Sequence, residues 1–238
     1  HTLFLLLSLL LFSRSGAQPY VLYQGNNEAL YMKNIADGNW QKLSSEAFGE
    51  LAGYELAGDS LVVSMQIRGK LQPMKFSDPV FKQLERYSNC FNPPYEENHI
   101  SPRIFTCKNY TLVIDEDMCL YNDGKHMWGE YCSNDTFKRT MHWLGGYIHP
   151  QISPDLSTIL CEAKRTPQMG KSQSKVIEID ISTGKQKTIV KGSEPTYSPD
   201  GKYILYRDNS TGYWNIFNRQ SSKVVTETAM LHAFWLHR

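Results

Sequence analysis

Hydrophobic and polar positions alternate over short runs through most of the chain, and turn-forming residues separate the runs. A period of two marks a half-buried β-strand, so the pattern predicts an all-β protein. The clearest unit is GSEPTYSPDGKYILYRD, residues 192–208. It reads as an extended segment, Glu194 to Ser198, a Pro199-Asp200-Gly201 turn, and an alternating strand, Lys202 to Arg207. Proline pre-sets φ in such a turn and glycine accepts φ > 0.

Weaker copies of this unit recur and predict a cycle of four strands, here termed inner, second, third and outer. The mature chain opens with Tyr20 to Gln24, Ala29 to Ile35 and Asn39 to Leu43, the last two joined by an Asp37-Gly38 turn. The next cycle is Gly53 to Ala57, Ser60 to Gln66, Lys70 to Phe76 and Phe81 to Tyr87. A third has its inner strand at Glu97 to Ser101, its second at Arg103 to Lys108 and its third within Thr111 to Tyr121. Its outer strand falls within His126 to Thr140. A fourth is Tyr147 to Ser153, Thr158 to Ala163, Lys175 to Ile181 and Lys185 to Lys191. The fifth is Glu194 to Ser198, Lys202 to Arg207, Tyr213 to Asn218 and Lys223 to Glu227, with a last inner strand at His232 to Leu236.

Four turns occupy equivalent places after inner strands: Ala57-Gly58-Asp59, Ser101-Pro102-Arg103, Ser153-Pro154-Asp155 and Ser198-Pro199-Asp200. The period is about 44 residues, the range of four-stranded propeller blades. The expected architecture is a five-bladed β-propeller of four-stranded antiparallel blades. The opening three strands lack an inner strand, and His232 to Leu236 lacks the other three. Pairing them makes one blade and closes the ring, which removes an exposed sheet edge. On this reading the chain is complete at its C-terminus. A β-sandwich or a piece of a larger propeller is the competing architecture.

The motif SPDGKYILY, with SPDLSTILC before it and ALYMKNIADGNWQKL near the start, resembles the TolB-type, or WD40-like, β-propeller repeat. The resemblance is close over Glu194 to Arg207, fair over Leu30 to Leu43 and Gln151 to Ala163, and thin over Pro93 to Lys108. There Arg103 replaces the aspartate and no glycine follows. The family includes periplasmic partner-binding proteins and the propellers of serine peptidases, so the resemblance implies a fold and no single activity.

Composition fixes the expected compartment. Leu3 to Phe12 is an apolar run too short to span a bilayer, which takes about 20 residues. Arg14 and the small residues Ser15, Gly16 and Ala17 follow it. This reads as a secretory signal peptide, residues 1–17, ahead of a single domain, residues 18–238. No second run of this kind follows, so the mature chain is expected to lack a membrane span and to be secreted. Three Asn-x-Ser/Thr tripeptides, at Asn109, Asn134 and Asn209, agree with a secreted glycoprotein. Of five cysteines, four crowd between Cys90 and Cys132. The expected disulfides are Cys90 with Cys107 and Cys119 with Cys132, leaving Cys161 in an apolar strand. Cysteine and histidine spacings match no zinc finger, and no metal is expected. The net charge of +1 gives no bulk field for nucleic acid or an anionic membrane. The lysines at 171–175 and 185–191 read as a solvated loop and strand edge.

Candidate chemistry follows from the repeat. Inner strands line a propeller's channel, and their first residues are Gly53, Glu97, His149, Glu194 and His232. Two acids and two imidazoles at one level could hold a divalent metal or act as acid and base. Glu55, Glu97 and Glu194 are the carboxylates that a glycosidase would use, though no aspartate near the first blade fits its nucleophile. No Gly-x-Ser-x-Gly elbow occurs, nor a glycine-rich phosphate loop. Of the five tryptophans, Trp214 and Trp235 are expected in blade packing, while Trp128 and Trp143 flank the least regular blade and are the candidate ligand-binding aromatics. The leading expectation is a monomeric, non-enzymatic binding module for a protein or carbohydrate. The alternatives are an extracellular hydrolase with its site at the channel mouth, glycosidase-like or metal-dependent, and a carrier or photoprotein-like component.

Overall fold

The computed structural model describes residues 18–44, 49–86, 103–114, 118–129, 150–165 and 173–237. Every sheet among them is antiparallel. The chain divides into two compact units, one of residues 1–87 with 234–238 and one of residues 88–233.

In the first unit β1 (Pro19–Gly25), β2 (Leu30–Asn34) and β3 (Trp40–Ser44) form one meander. β4 (Glu50–Ala57), β5 (Ser60–Ile67) and β6 (Lys70–Ser77) form another, followed by the two-residue β7 (Glu85–Arg86). The second unit holds β8 (Arg103–Cys107), β9 (Tyr110–Ile114), β10 (Met118–Asn122) and β11 (Lys125–Trp128). It continues with β12 (Gln151–Ile152), β13 (Thr158–Arg165), β14 (Gln173–Asp180), β15 (Gln186–Tyr197), β16 (Tyr203–Asp208), β17 (Trp214–Asn218) and β18 (Lys223–Val224). The terminal strand β19 (Met230–His237) neighbours β1 in strand order and also pairs Met230 with Trp214.

Alternation in sequence becomes alternation in burial. Leu22, Leu30 and Met32 of one meander and Leu51, Leu61, Val63 and Met65 of the next face each other in one core, with Phe81 and Leu236. In the second unit Leu112, Ile114, Met118 and Leu120 pack with Ile159, Cys161, Ile177 and Ile179. Each such side chain contributes about 1.5–3 kcal/mol on burial. Burial also pushes the Cys161 thiol far above its ordinary range, so it stays protonated.

The Ser-Pro-Asp turns repeat atom for atom. The Ser198 hydroxyl donates to Asp200 Oδ1 at 2.6 Å and accepts from Tyr203 N at 2.9 Å. The Ser153 hydroxyl donates to Asp155 Oδ1 at 2.6 Å and accepts from Thr158 N at 3.0 Å. Both serines are fully buried. Gly201 takes φ +70 and Leu156 takes φ +60 at the matching position. Burial works against the Asp155 charge, but the hydrogen bonds from Ser153 and Ser157 outweigh it and hold the carboxyl below its usual range. Asp180 and Asp208 close two further turns in the same manner. The hydroxyls of Ser182 and Ser210 respectively lead the donors that lower their pKa.

Three expectations are corrected. The outer strand at Phe81 to Tyr87 is a 3-10 helix, Pro79–Gln83, capped by Asp78, whose side chain accepts from Val80 N. Proline at the helix start lacks the N–H a ladder needs. The residues after it, Glu85–Arg86, pair with His237 and Leu236 and not with β6. Second, Thr111 to Tyr121 is two paired strands, β9 and β10, in which Leu112 opposes Leu120. The Asn122-Asp123-Gly124 turn then joins β10 to β11, and among the described residues the sheet runs β8-β9-β10-β11. The inner strand at Glu97 to Ser101 and the Ser101-Pro102 part of the proposed turn lie outside the described residues. Third, the outer strand at Lys185 to Lys191 and the inner strand at Glu194 to Ser198 are one continuous strand, β15. Its first part pairs with β14 and its second with β16. Gly192 makes this handover possible, because a Cβ there would lie 2.6 Å from the Tyr206 ring and 2.8 Å from Arg207 O.

Candidate ligand site at an inner-strand bulge

Bulges interrupt two strands read as inner. β4 carries one between Leu51 and Gly53, and β15 carries one between Ser193 and Thr196. An extra residue bends the strand and re-aims a side chain, and bulges concentrate beside binding sites. In β15 the bulge contains Glu194, a non-glycine residue at φ +52. That region costs an L-residue about 1–2 kcal/mol, so surrounding contacts must hold it.

Two contacts do so. Glu194 N donates to Glu162 Oε2 at 3.0 Å. The Glu194 carboxylate stands 3.5 Å from Arg207 Nη1, with both side chains about half exposed, 44% and 50%. Arg207 is itself steered by a 3.1 Å bond from Nε to Gly212 O. Glu162 is buried on β13. The result is a surface carboxylate and guanidinium held side by side over a buried acid. Such a pair can accept and donate hydrogen bonds to a polar ligand at once.

The buried acid has a counterpart. Gln24 of β1, also buried, accepts from Leu51 N at 3.1 Å and donates to Gly49 O at 2.9 Å. Both side chains reach from one meander to the backbone of the next, at the bulged end of its first strand. Sequence reasoning passed over Glu162, Gln24 and Arg207. The available signal was a lone polar residue late in an otherwise apolar run, YVLYQ and TILCE.

A second polar cluster joins β13, β14, β15 and the loop after β17. Tyr197, fully buried, donates its hydroxyl to Glu178 Oε1 at 2.9 Å and shares a 2.7 Å bond with Thr158 Oγ1. Arg219 Nε lies 2.7 Å from Glu178 Oε1, and Nη1 donates to Gly201 O at 2.6 Å. Its guanidinium lies over the Tyr197 ring, 5.0 Å from the centroid. Burial, then the Glu178 charge, raises the Tyr197 pKa. The cluster knits the turns and strands together.

Of the sequence candidates, Glu194 sits at the bulge and His232 is half-buried on β19. Glu97, His149 and Trp143 lie outside the described residues. Gly53 follows the β4 bulge, and Glu55 is exposed on β4. Trp128 donates its indole N–H to Ile181 O at 2.6 Å and packs on Gly184 and the surrounding core. Trp235 is buried, and Trp214 is half-buried. The tryptophan that sequence reasoning did not single out, Trp40, is 64% exposed. Asn109 and Asn209 are exposed in the β8–β9 and β16–β17 turns, and Asn134 lies outside the described residues. Cys90 and Cys132 lie outside them too. Cys107 is buried at the end of β8 while Cys119 is half-buried on β10.

No protein-family model matches the chain, and no curated protein matches it. Among solved structures it is similar to TolB from Acinetobacter baumannii, at 16% identity and TM-score 0.36, over 93% of this chain and 54% of that one. It is similar to a chain of a nidogen/laminin complex at 13% identity and TM-score 0.35, over 90% of this chain and 83% of that one. It is similar to puromycin hydrolase at 13% identity and TM-score 0.35, over 90% and 39%. The chain thus spans about half the length of TolB.

Proposed function

We propose that the chain is a secreted, glycosylated five-bladed propeller, closed by pairing of its terminal strands, that binds a protein or carbohydrate ligand at the channel mouth and works as a monomer without turnover. The observation that carries the reading is Glu194. A left-handed, bulged glutamate costs stability, and its carboxylate is nonetheless kept at the surface against Arg207. Strained positions of this kind gather at ligand sites. The adjacency of β19 and β1 in strand order supports closure.

The apolar leader and the sequons support secretion. Asn109 and Asn209 lie in exposed turns, which supports glycosylation, with the Asn209 amide nitrogen donating to Ser174 O at 2.8 Å. The register speaks against a Cys107–Cys119 bond, and the proposed disulfides are Cys90–Cys107 and Cys119–Cys132. Cys107 is level with Tyr110 and Asn122, whereas Cys119 is level with Val113 and Ile104. The two therefore sit on opposite faces of the sheet, beyond disulfide reach.

The full chain, secreted from eukaryotic cells, is to be screened on an array of immobilised glycans and on displayed extracellular proteins. The hits should weaken about tenfold in Glu194→Gln and Arg207→Ala, the loss of one or two charge-assisted bonds. Hits indifferent to both variants contradict the site. Turnover of fluorogenic glycosides that disappears in Glu194→Gln would establish the hydrolase instead.

A further inference from the structure

The dipeptide Asp-Gly occurs three times, at 37–38, 123–124 and 200–201. It is the pair most open to attack of a backbone nitrogen on the preceding carboxyl, because glycine puts no side chain in the way. Two of the pairs are tied down at both reacting groups. Gly38 N donates to Asn34 O at 3.0 Å, and the Asp37 carboxylate accepts from Asn39 N at 2.8 Å and Asn34 Nδ2 at 3.1 Å. Gly201 N donates to Ser198 O at 2.9 Å. Asp200, its side chain only 7% exposed, accepts from the Ser198 hydroxyl at 2.6 Å and from Lys202 N at 3.1 Å. The third pair differs. Asp123 and Gly124, at φ +48 and +73, are the two loop residues between paired Asn122 and Lys125, a turn of the I′ kind. Asp123 N donates to Asn109 O at 2.9 Å, which holds the turn without using either reacting group. Both residues are exposed, and apart from chain neighbours nothing lies within 4 Å of where a Gly124 Cβ would stand. Among the described residues no hydrogen bond engages the Asp123 carboxylate or the Gly124 N–H.

We infer that Asp123 is the site at which this protein forms isoaspartate. Gly124 N attacks Cγ of the neutral Asp123 carboxyl. The amide proton and the carboxyl hydroxyl leave together as water, and a succinimide ring closes. Water then adds at the former main-chain carbonyl and breaks its bond to nitrogen. The chain thereafter runs through Cγ, the old main-chain carbonyl carbon becomes the free carboxylate, and the mass is unchanged. Water is the only other reactant, and no oxidant or reductant is needed. The product carries one more methylene in the main chain of a two-residue loop. A I′ turn no longer spans it, so the Asn122 and Lys125 pairing goes first and the edge strand β11 loosens from β10. The inference uses no residue of the Glu194 site, so either reading can fail alone.

The test is incubation of the full chain, folded and in guanidinium chloride, at about pH 5, where a minor fraction of aspartates is protonated. Isoaspartate is counted with an isoaspartyl methyltransferase and located by chromatography and mass spectrometry of proteolytic peptides. In the folded chain it should build up at Asp123 about tenfold faster than at Asp37 or Asp200, the rate cost of first breaking the hydrogen bonds those pairs hold. In guanidinium the three sites should converge, because only the fold separates them. Asp123→Glu, whose longer side chain closes the ring poorly, should remove most of the folded-state product. Asp37 or Asp200 reacting as fast as Asp123 in the folded chain overturns the inference. So does a folded Asp123 that forms none while the unfolded chain does. The same ranking in guanidinium overturns it too, by tracing the difference to flanking sequence.

Discussion

Arg219 Nε stands 2.7 Å from Glu178 Oε1, in a setting where the two side chains are only 22% and 11% exposed. The pair is braced by Tyr197, Thr158 and Gly201 O. Removing one partner strands the other charge in a poorly solvated place. Arg219→Ala is therefore expected to lower stability by about 2–4 kcal/mol. Glu178→Leu combined with Arg219→Met should recover most of it, because the pair is then replaced by apolar volume. Urea midpoints of the parent, single and double variants measure this. A double variant as unstable as the single would contradict it.

The Ser198-Pro199-Asp200 turn has glycine at the left-handed position that Leu156 takes in the matching turn. Gly201 has φ +70, and a Cβ would also sit 3.1 Å from Pro154 Cδ. Gly201→Ala should cost about 1–2 kcal/mol. Thermal unfolding followed by circular dichroism gives the value, and an unchanged midpoint would be inconsistent with the turn described.

Gln24 satisfies two backbone groups of the next meander with one side chain. Gln24→Leu keeps the volume and leaves Leu51 N without that acceptor. A loss of about 1–3 kcal/mol is expected. Faster hydrogen exchange should accompany it at Leu51, in the β4 bulge. Exchange unaltered there would show that the side chain does not hold the joint.

Asp78, Asp155, Asp180 and Asp208 all have carboxyls held below the ordinary value of 3.8. A folded pKa below the unfolded one stabilises the fold above the unfolded pKa. That contribution is lost as pH falls through about 4 toward the folded values. Denaturant midpoints should hold from pH 7 to 5 and drop below 4. Asp155→Asn should flatten part of that drop, and a midpoint independent of pH down to 3 would refute the role of these turns.

The sequence made the all-β class legible because short apolar runs such as YVLYQ and alternating ones such as SLVVSMQI are punctuated by Asp-Gly and Pro-Asp-Gly turns. It misled where one signal had two readings. Phe81 is apolar in a strand-like run, yet Pro79 and Asp78 start a helix there. Thr111 to Tyr121 reads as one strand, yet it holds two that pair Leu112 with Leu120. The site was half legible. Glu194 stood at the start of an inner strand, but its partners depend on a bulge and on side chains 13 and 32 positions away. Local pattern carries no trace of such distances.

The proposed ring closes through its last strand. Truncation after Ala229 removes β19, including the Met230 pairing to Trp214 and the Leu236 pairing to Arg86. A closed propeller should then lose its single cooperative melt and regain it when a synthetic 230–238 peptide is supplied. A truncated chain that melts cooperatively at the parent midpoint, with the peptide making no difference, would contradict closure.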